Sequence, residues 1–123
     1  MSFAYWMVLA AAILPYLTVF LAKQAGGIDN RAPRRSLDKL TGWRKRADWA
    51  QRNHFEAFPL FAVAVIVAEL HQAPQERLDL LAGIYVALRV VYTAMYLADR
   101  ASLRTLVWLL SFATAIWIFV LGA

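Results

Sequence analysis

Three groups of polar side chains interrupt an otherwise apolar chain. Arg52, Asn53 and Glu56 stand close together, Arg89, Tyr92 and Tyr96 follow, and Arg104 opens the last apolar segment. Residues three or four apart meet on one face of a helix, so the first three form one patch and the next three one stripe. An ionisable group inside a membrane span costs roughly 2.5–3.5 kcal/mol on the insertion scale and normally faces a partner or a watery cavity. Guanidinium, carboxylate and phenol at this spacing can make an ion pair, a hydrogen-bonded ligand site, or both. Without a cysteine, any sulfur chemistry must come from a bound partner. The two histidines, His54 and His71, are too few for a metal site and are read as interfacial polar residues.

Simpler roles exist for each group. Glu56 and Arg89 could be an ion pair that holds two helices in register. Tyr92 and Tyr96 could be ordinary aromatic packing or interface-belt residues. Arg104 could reach to the headgroups beside its span.

The elements that would position these residues are membrane helices. Apolar residues make up 62% of the 123, against roughly 45–50% in soluble domains, and mean hydropathy is +0.52. A soluble fold this small would leave much of that surface in water. The stretch from Met1 to Ala22 carries no charge and is long enough for the ~30 Å hydrocarbon core. It lacks the basic start of a cleaved signal, so it reads as an anchor. Thr105 to Ala123 is again uncharged. Between them, Trp49 to Leu70 holds its charges near its ends and Leu80 to Ala98 is broken only by Arg89. The expected fold is an all-α membrane protein, one domain over 1–123, with four transmembrane helices at about 2–24, 48–71, 77–98 and 102–121.

Pro74 forbids one continuous helix across the second connection, and the link 98–102 is shorter still, so the spans should run up-down-up-down. The polar stretch 25–47 is a basic loop, in which Leu37, Leu40 and Trp43 suggest a short amphipathic turn at the membrane surface. Pro15 and Pro59 read as kinks or first-turn residues. From Lys23 to Arg52 there are nine basic residues against three acidic, whereas the connection after the second span has only Arg77 among Glu69, Glu76 and Asp79. The positive-inside rule then puts loop 25–47 in the cytoplasm and both termini on the other side. Basic residues so close to spans are explained by topology and anionic headgroups, which argues against nucleic acid as a partner.

The run Asp29-Asn30-Arg31-Ala32-Pro33-Arg34, then Leu40-Thr41-Gly42-Trp43 and Arg46-Ala47, and above all Arg52-Asn53-His54-Phe55-Glu56-Ala57-Phe58-Pro59-Leu60-Phe61, resembles the MAPEG family, membrane-associated proteins in eicosanoid and glutathione metabolism, in its bacterial branch. Arg89-Val90-Val91-Tyr92-Thr93-Ala94-Met95-Tyr96-Leu97, followed by Arg104, is similar to the segment that carries glutathione contacts in that family. The resemblance implies a homotrimer in the bacterial inner membrane, with glutathione as co-substrate between adjacent subunits near the cytoplasmic face. By the same resemblance Arg52, Asn53 and Glu56 would hold the peptide, Arg89 would support Glu56, and Tyr92 and Tyr96 would hydrogen-bond the ligand. Arg104 would be the catalytic group beside the sulfur, where a fixed guanidinium favours the thiolate. The implied activity is that of a glutathione transferase or peroxidase on hydrophobic substrates that arrive through the bilayer.

Two rival classes remain. A small exporter would need an acidic residue in its first span, and Met1 to Ala22 has none. A non-catalytic membrane module would use the polar groups for assembly alone.

Overall fold

The computed structural model describes all 123 residues and consists of five helices: α1 (Phe3–Gln24), α2 (Pro33–Asp38), α3 (Gly42–Leu70), α4 (Gln75–Leu97) and α5 (Ala101–Leu121). All except α2 are long and apolar enough to cross a membrane. Helix α3 begins at Gly42, six residues before the expected start at 48, so the connection from α1 is 25–41 and contains the six-residue α2. The difference has a local cause. Arg44 and Arg46 sit on the first turns of α3 and find acceptors at the ends of neighbouring helices, so the helix continues past the point where its apolar run stops. Charge pattern marks where hydrocarbon begins, not where helical hydrogen bonding begins.

The anticipated amphipathic turn is divided between two elements. Leu37 is buried at the end of α2, Leu40 is half-buried between the helices, and Trp43 is exposed on α3. Both prolines lie within helices, Pro15 in α1 and Pro59 in α3, and neither is a first-turn residue.

Short connections are stabilised by two matching helix ends. After α3, Gln72 takes the left-handed conformation (φ 56°) while Ala73 N donates to Ala68 O and Gln72 N to Glu69 O. After α4, Asp99 does the same (φ 59°), with Arg100 N donating to Met95 O and Asp99 N to Tyr96 O. Each satisfies carbonyls that the last helical turn leaves open and ends its helix a few residues before the next begins.

Polar contacts tie the two ends of the bundle. At one end Ser2 Oγ donates to Glu69 Oε1 at 2.5 Å, Ala4 N donates to Asp79 Oδ1 at 2.9 Å, and Gln75 Nε2 reaches both carboxylates. Asp79 of α4 therefore caps the start of α1. At the other end Arg44 Nε donates to Ala22 O at 2.9 Å and its Nη2 to Gly26 O, while Arg46 Nη2 donates to Leu97 O at 3.1 Å. Cationic side chains at helix C-termini also complement the helix dipole.

Helix α1 packs on α3 and α4, and α5 packs on the same pair, so α1 and α5 do not meet. Buried alanines at 4, 11, 64, 68, 82 and 115 let the backbones approach closely. At the centre Phe61 of α3 stacks on Tyr85 of α4, with ring centroids 3.9 Å apart and planes 7° from parallel. Large apolar side chains such as Trp6 and Phe20 on α1, or Leu106 and Trp117 on α5, face outward.

Candidate functional site

The centre of the site is Arg89 on α4, only 2% exposed. Its Nη2 donates to Asn53 Oδ1 at 2.7 Å, and both Nε and Nη2 lie within hydrogen-bond reach of His54 Nδ1, at 3.1 and 2.8 Å. Nη1 is buried without a partner. No carboxylate stands within 4.0 Å of this guanidinium; the ion pairs of the chain all involve Lys45 or Arg52. The expected support of Glu56 by Arg89 is therefore absent, and neutral acceptors from α3 take its place. Glu56 is exposed. It lines a pocket of about 220 Å³ together with Asn53, Tyr85, Arg89, Trp108 and Ser111, between α3, α4 and α5.

From Arg89 a series of rings continues along α4. The Arg89 guanidinium lies 4.3 Å from the Tyr92 ring centre, Tyr92 meets Tyr96 edge-on at 5.5 Å, and the Arg104 guanidinium lies 4.5 Å from the Tyr96 ring centre. The steps from 89 to 92 and from 92 to 96 are one helical turn each, which is why sequence spacing could anticipate the stripe. Cations over tyrosine faces are attracted by the ring quadrupole, by roughly 2 kcal/mol where water is excluded. Arg104 thus joins the cluster through Tyr96, but it lines neither of the two main pockets.

Arg52 goes elsewhere. It turns from Asn53 and Glu56 toward α2, with Nη2 at 2.8 Å from Asp38 Oδ1 and 3.3 Å from the buried Asp48 Oδ2. There it lines a second, wider cavity of about 720 Å³ between α1, α2 and α3, with Lys23, Arg34 and Gln51 at its polar wall and Tyr16 and Phe55 on its apolar side. Arg52 and Asn53, adjacent on α3 and pointing about 100° apart, line different cavities: Arg52 the one between α1, α2 and α3, Asn53 the one between α3, α4 and α5.

His54, read from the sequence as an interfacial polar residue, is 3% exposed within the subunit, wedged between Arg89 and Thr93, with Nε2 at 2.7 Å from Thr93 Oγ1. Thr93, Trp108 and Ser111 were not anticipated. The signal for His54 and Thr93 was their place within the two motifs; Trp108 and Ser111 follow Arg104 by one and two turns on α5, among apolar residues that conceal them.

The profile of the MAPEG family matches residues 3–123. The chain belongs to the MAPEG family. No curated protein and no solved structure matches it at a significant level. Membership and the four apolar helices make this MAPEG protein a multi-pass membrane protein, with the lipid bilayer as its surroundings. The longest of the motifs that carried the resemblance, 52–61 and 89–97, lie on α3 and α4, and these two helices supply the Arg89 guanidinium, the amide, the carboxylate and the phenols of the cluster.

Proposed function

We propose that this MAPEG protein binds glutathione and acts as a glutathione transferase or peroxidase on lipophilic electrophiles, as a homotrimer of up-down-up-down subunits in the bacterial inner membrane with both termini outside the cytoplasm. The observation that carries the reading is the uncompensated cation: Arg89 is buried beside a pocket, no acid neutralises it, and the tyrosine series connects it to Arg104. An anionic tripeptide with hydrogen-bonding backbone suits such surroundings, because a desolvated cation without a counterion attracts an anion strongly.

In this reading Asn53, Glu56 and Arg89 offer complementary groups to the ligand's charged ends, and Tyr92 and Tyr96 offer phenols. Arg104 stabilises the thiolate, which at pKa ~8.5 is otherwise a minor form of a free thiol at neutral pH. The thiolate then attacks an electrophilic carbon brought laterally through the bilayer, forming a C–S bond as the leaving group departs with its electron pair, or it attacks the outer oxygen of a hydroperoxide, giving a sulfenic acid as the O–O bond breaks and the alkoxide takes up a proton, after which a second glutathione converts the sulfenic acid to the disulfide and water. Arg52 fits this scheme only across a subunit boundary. It faces the α1–α2–α3 cavity, so one ligand touching both Arg52 and Asn53 would lie between two copies.

The measurement is thermal stability of the detergent-solubilised protein with and without glutathione, since a ligand of the folded state stabilises it by mass action. A concentration-dependent rise is expected, together with conjugation of a test electrophile that falls at least tenfold in Arg104→Ala. An unchanged melting temperature would end the reading. One observation favours a purely structural role: Arg89 ties α4 to α3 through Asn53 and His54. A non-catalytic assembly module would show the same tie and no response to glutathione.

A further inference from the structure

His54 has no part in the ligand scheme above, yet its Nδ1 meets the buried guanidinium at two nitrogens. An arginine side chain can only donate hydrogen bonds, so His54 Nδ1, which lies 3.1 Å from Arg89 Nε and 2.8 Å from Nη2, must accept. A neutral imidazole that accepts at one nitrogen carries its proton on the other. The Nε2–H then points at Thr93 Oγ1, 2.7 Å away, and the threonine hydroxyl uses its own proton to donate to Arg89 O at 3.0 Å. The donors run one way around a closed path: Arg89 side chain to His54, His54 to Thr93, Thr93 back to the Arg89 main chain. Thr93 stands one turn beyond Arg89 on α4, so a single helix both presents the guanidinium and selects the tautomer that receives it.

Asn53 Oδ1, at 2.7 Å from Nη2, supplies the second acceptor from α3. The edge of the guanidinium formed by Nε and Nη2 is thereby occupied, while Nη1 keeps no partner. The Tyr92 ring lies on one face of the group, with its own edge contact to His54 at 5.8 Å between ring centres. Few other orientations are open to Arg89 in this setting. A protonated His54 would lose the acceptor and bring a second cation against the first, so the arrangement requires the neutral ring.

We infer that His54 is a positioning residue: as the Nε2–H tautomer, locked by Thr93, it holds the Arg89 guanidinium at the wall of the α3–α4–α5 pocket in the orientation that its anionic ligand needs. The inference rests on the glutathione reading above, because it assigns His54 an effect on that ligand's affinity.

The test uses the full chain in detergent and three variants. His54→Phe keeps a ring but removes both nitrogens; His54→Asn returns an acceptor close to the place of Nδ1; Thr93→Val keeps the shape but removes the group that selects the tautomer. Glutathione affinity is measured by calorimetry, melting temperature without ligand is measured alongside, and imidazole nitrogen shifts report the tautomer. The expected result is a Kd about tenfold or more weaker in His54→Phe, as when a hydrogen bond to a charged group is lost, with most of that loss recovered in His54→Asn. Thr93→Val should fall between them, and wild-type His54 should show an unprotonated Nδ1. Wild-type protein that binds no glutathione overturns the glutathione reading and this assignment with it. Binding by the wild type with unchanged Kd in His54→Phe and Thr93→Val overturns the assignment alone. So does a Kd that simply follows melting temperature across all three variants, or a His54 protonated on Nδ1.

Discussion

Two arginines, Arg52 and Arg89, stand on facing helices and resemble each other in nothing but chemistry. Arg52 has a side chain 52% exposed and is shared by two carboxylates, Asp38 and Asp48. Arg89 is buried, hydrogen-bonds only to the neutral acceptors Asn53 and His54, and has the Tyr92 ring on one face. In the first cavity-lining cation the charge is cancelled before any ligand arrives, and water screens what is left. In the second the protein satisfies most of the hydrogen bonds but leaves the charge in place, in surroundings where a charge acts over a longer distance. The difference separates a cation that fastens a loop element to a helix from one that is prepared for an anion.

The comparison breaks most sharply at Arg89. Arg89→Met should abolish glutathione binding and lower stability by about 2–5 kcal/mol, since Asn53 and His54 would both be left buried without their donor. Calorimetry and thermal melts read the two losses, and retained affinity would show that the uncompensated charge has no part in recognition. Asp48→Asn comes next. Asp48 is fully buried and meets Lys45, Gln51 and Arg52, so its loss should cost about 1–3 kcal/mol by thermal or denaturant unfolding while binding changes less than in Arg89→Met.

Glu56→Gln sharpens the contrast differently. Glu56 makes no ion pair, so unfolding stability should change by no more than about 0.5 kcal/mol while glutathione affinity falls severalfold. A large loss of stability would restore the Glu56–Arg89 pair that the structure lacks. The smallest effect belongs to Arg52→Gln, about 0–1 kcal/mol and diminishing as salt is raised, because exposed pairs are screened. A salt-insensitive loss would mean that Arg52 is buried in the assembly, as an intersubunit site requires.

Much of the architecture was legible in the chain because membrane burial acts on whole segments. Four apolar runs of about 20 residues, the stop at Pro74 and the stripe 89, 92 and 96 all follow from composition and helical period. Gln72 and Asp99 were not foreseen as left-handed residues, since the glycine that usually marks such helix ends is missing at both. The early start of α3 was hidden because charged side chains that cap neighbouring helices look, in one dimension, like a loop.

What the sequence determined by itself is which residues are too polar for lipid and which share a helix face, because both depend only on side-chain type and a fixed period. What the tertiary structure decided is who satisfies whom. Partner choice depends on the rotation and depth of one helix against another, so that His54 rather than Glu56 meets Arg89, and Asp38 rather than the pocket takes Arg52. Those distances of 2.7 to 3.1 Å depend on packing of Phe61 on Tyr85 and of alanines across the helix contacts, a balance of shapes spread over four helices that no local spacing encodes.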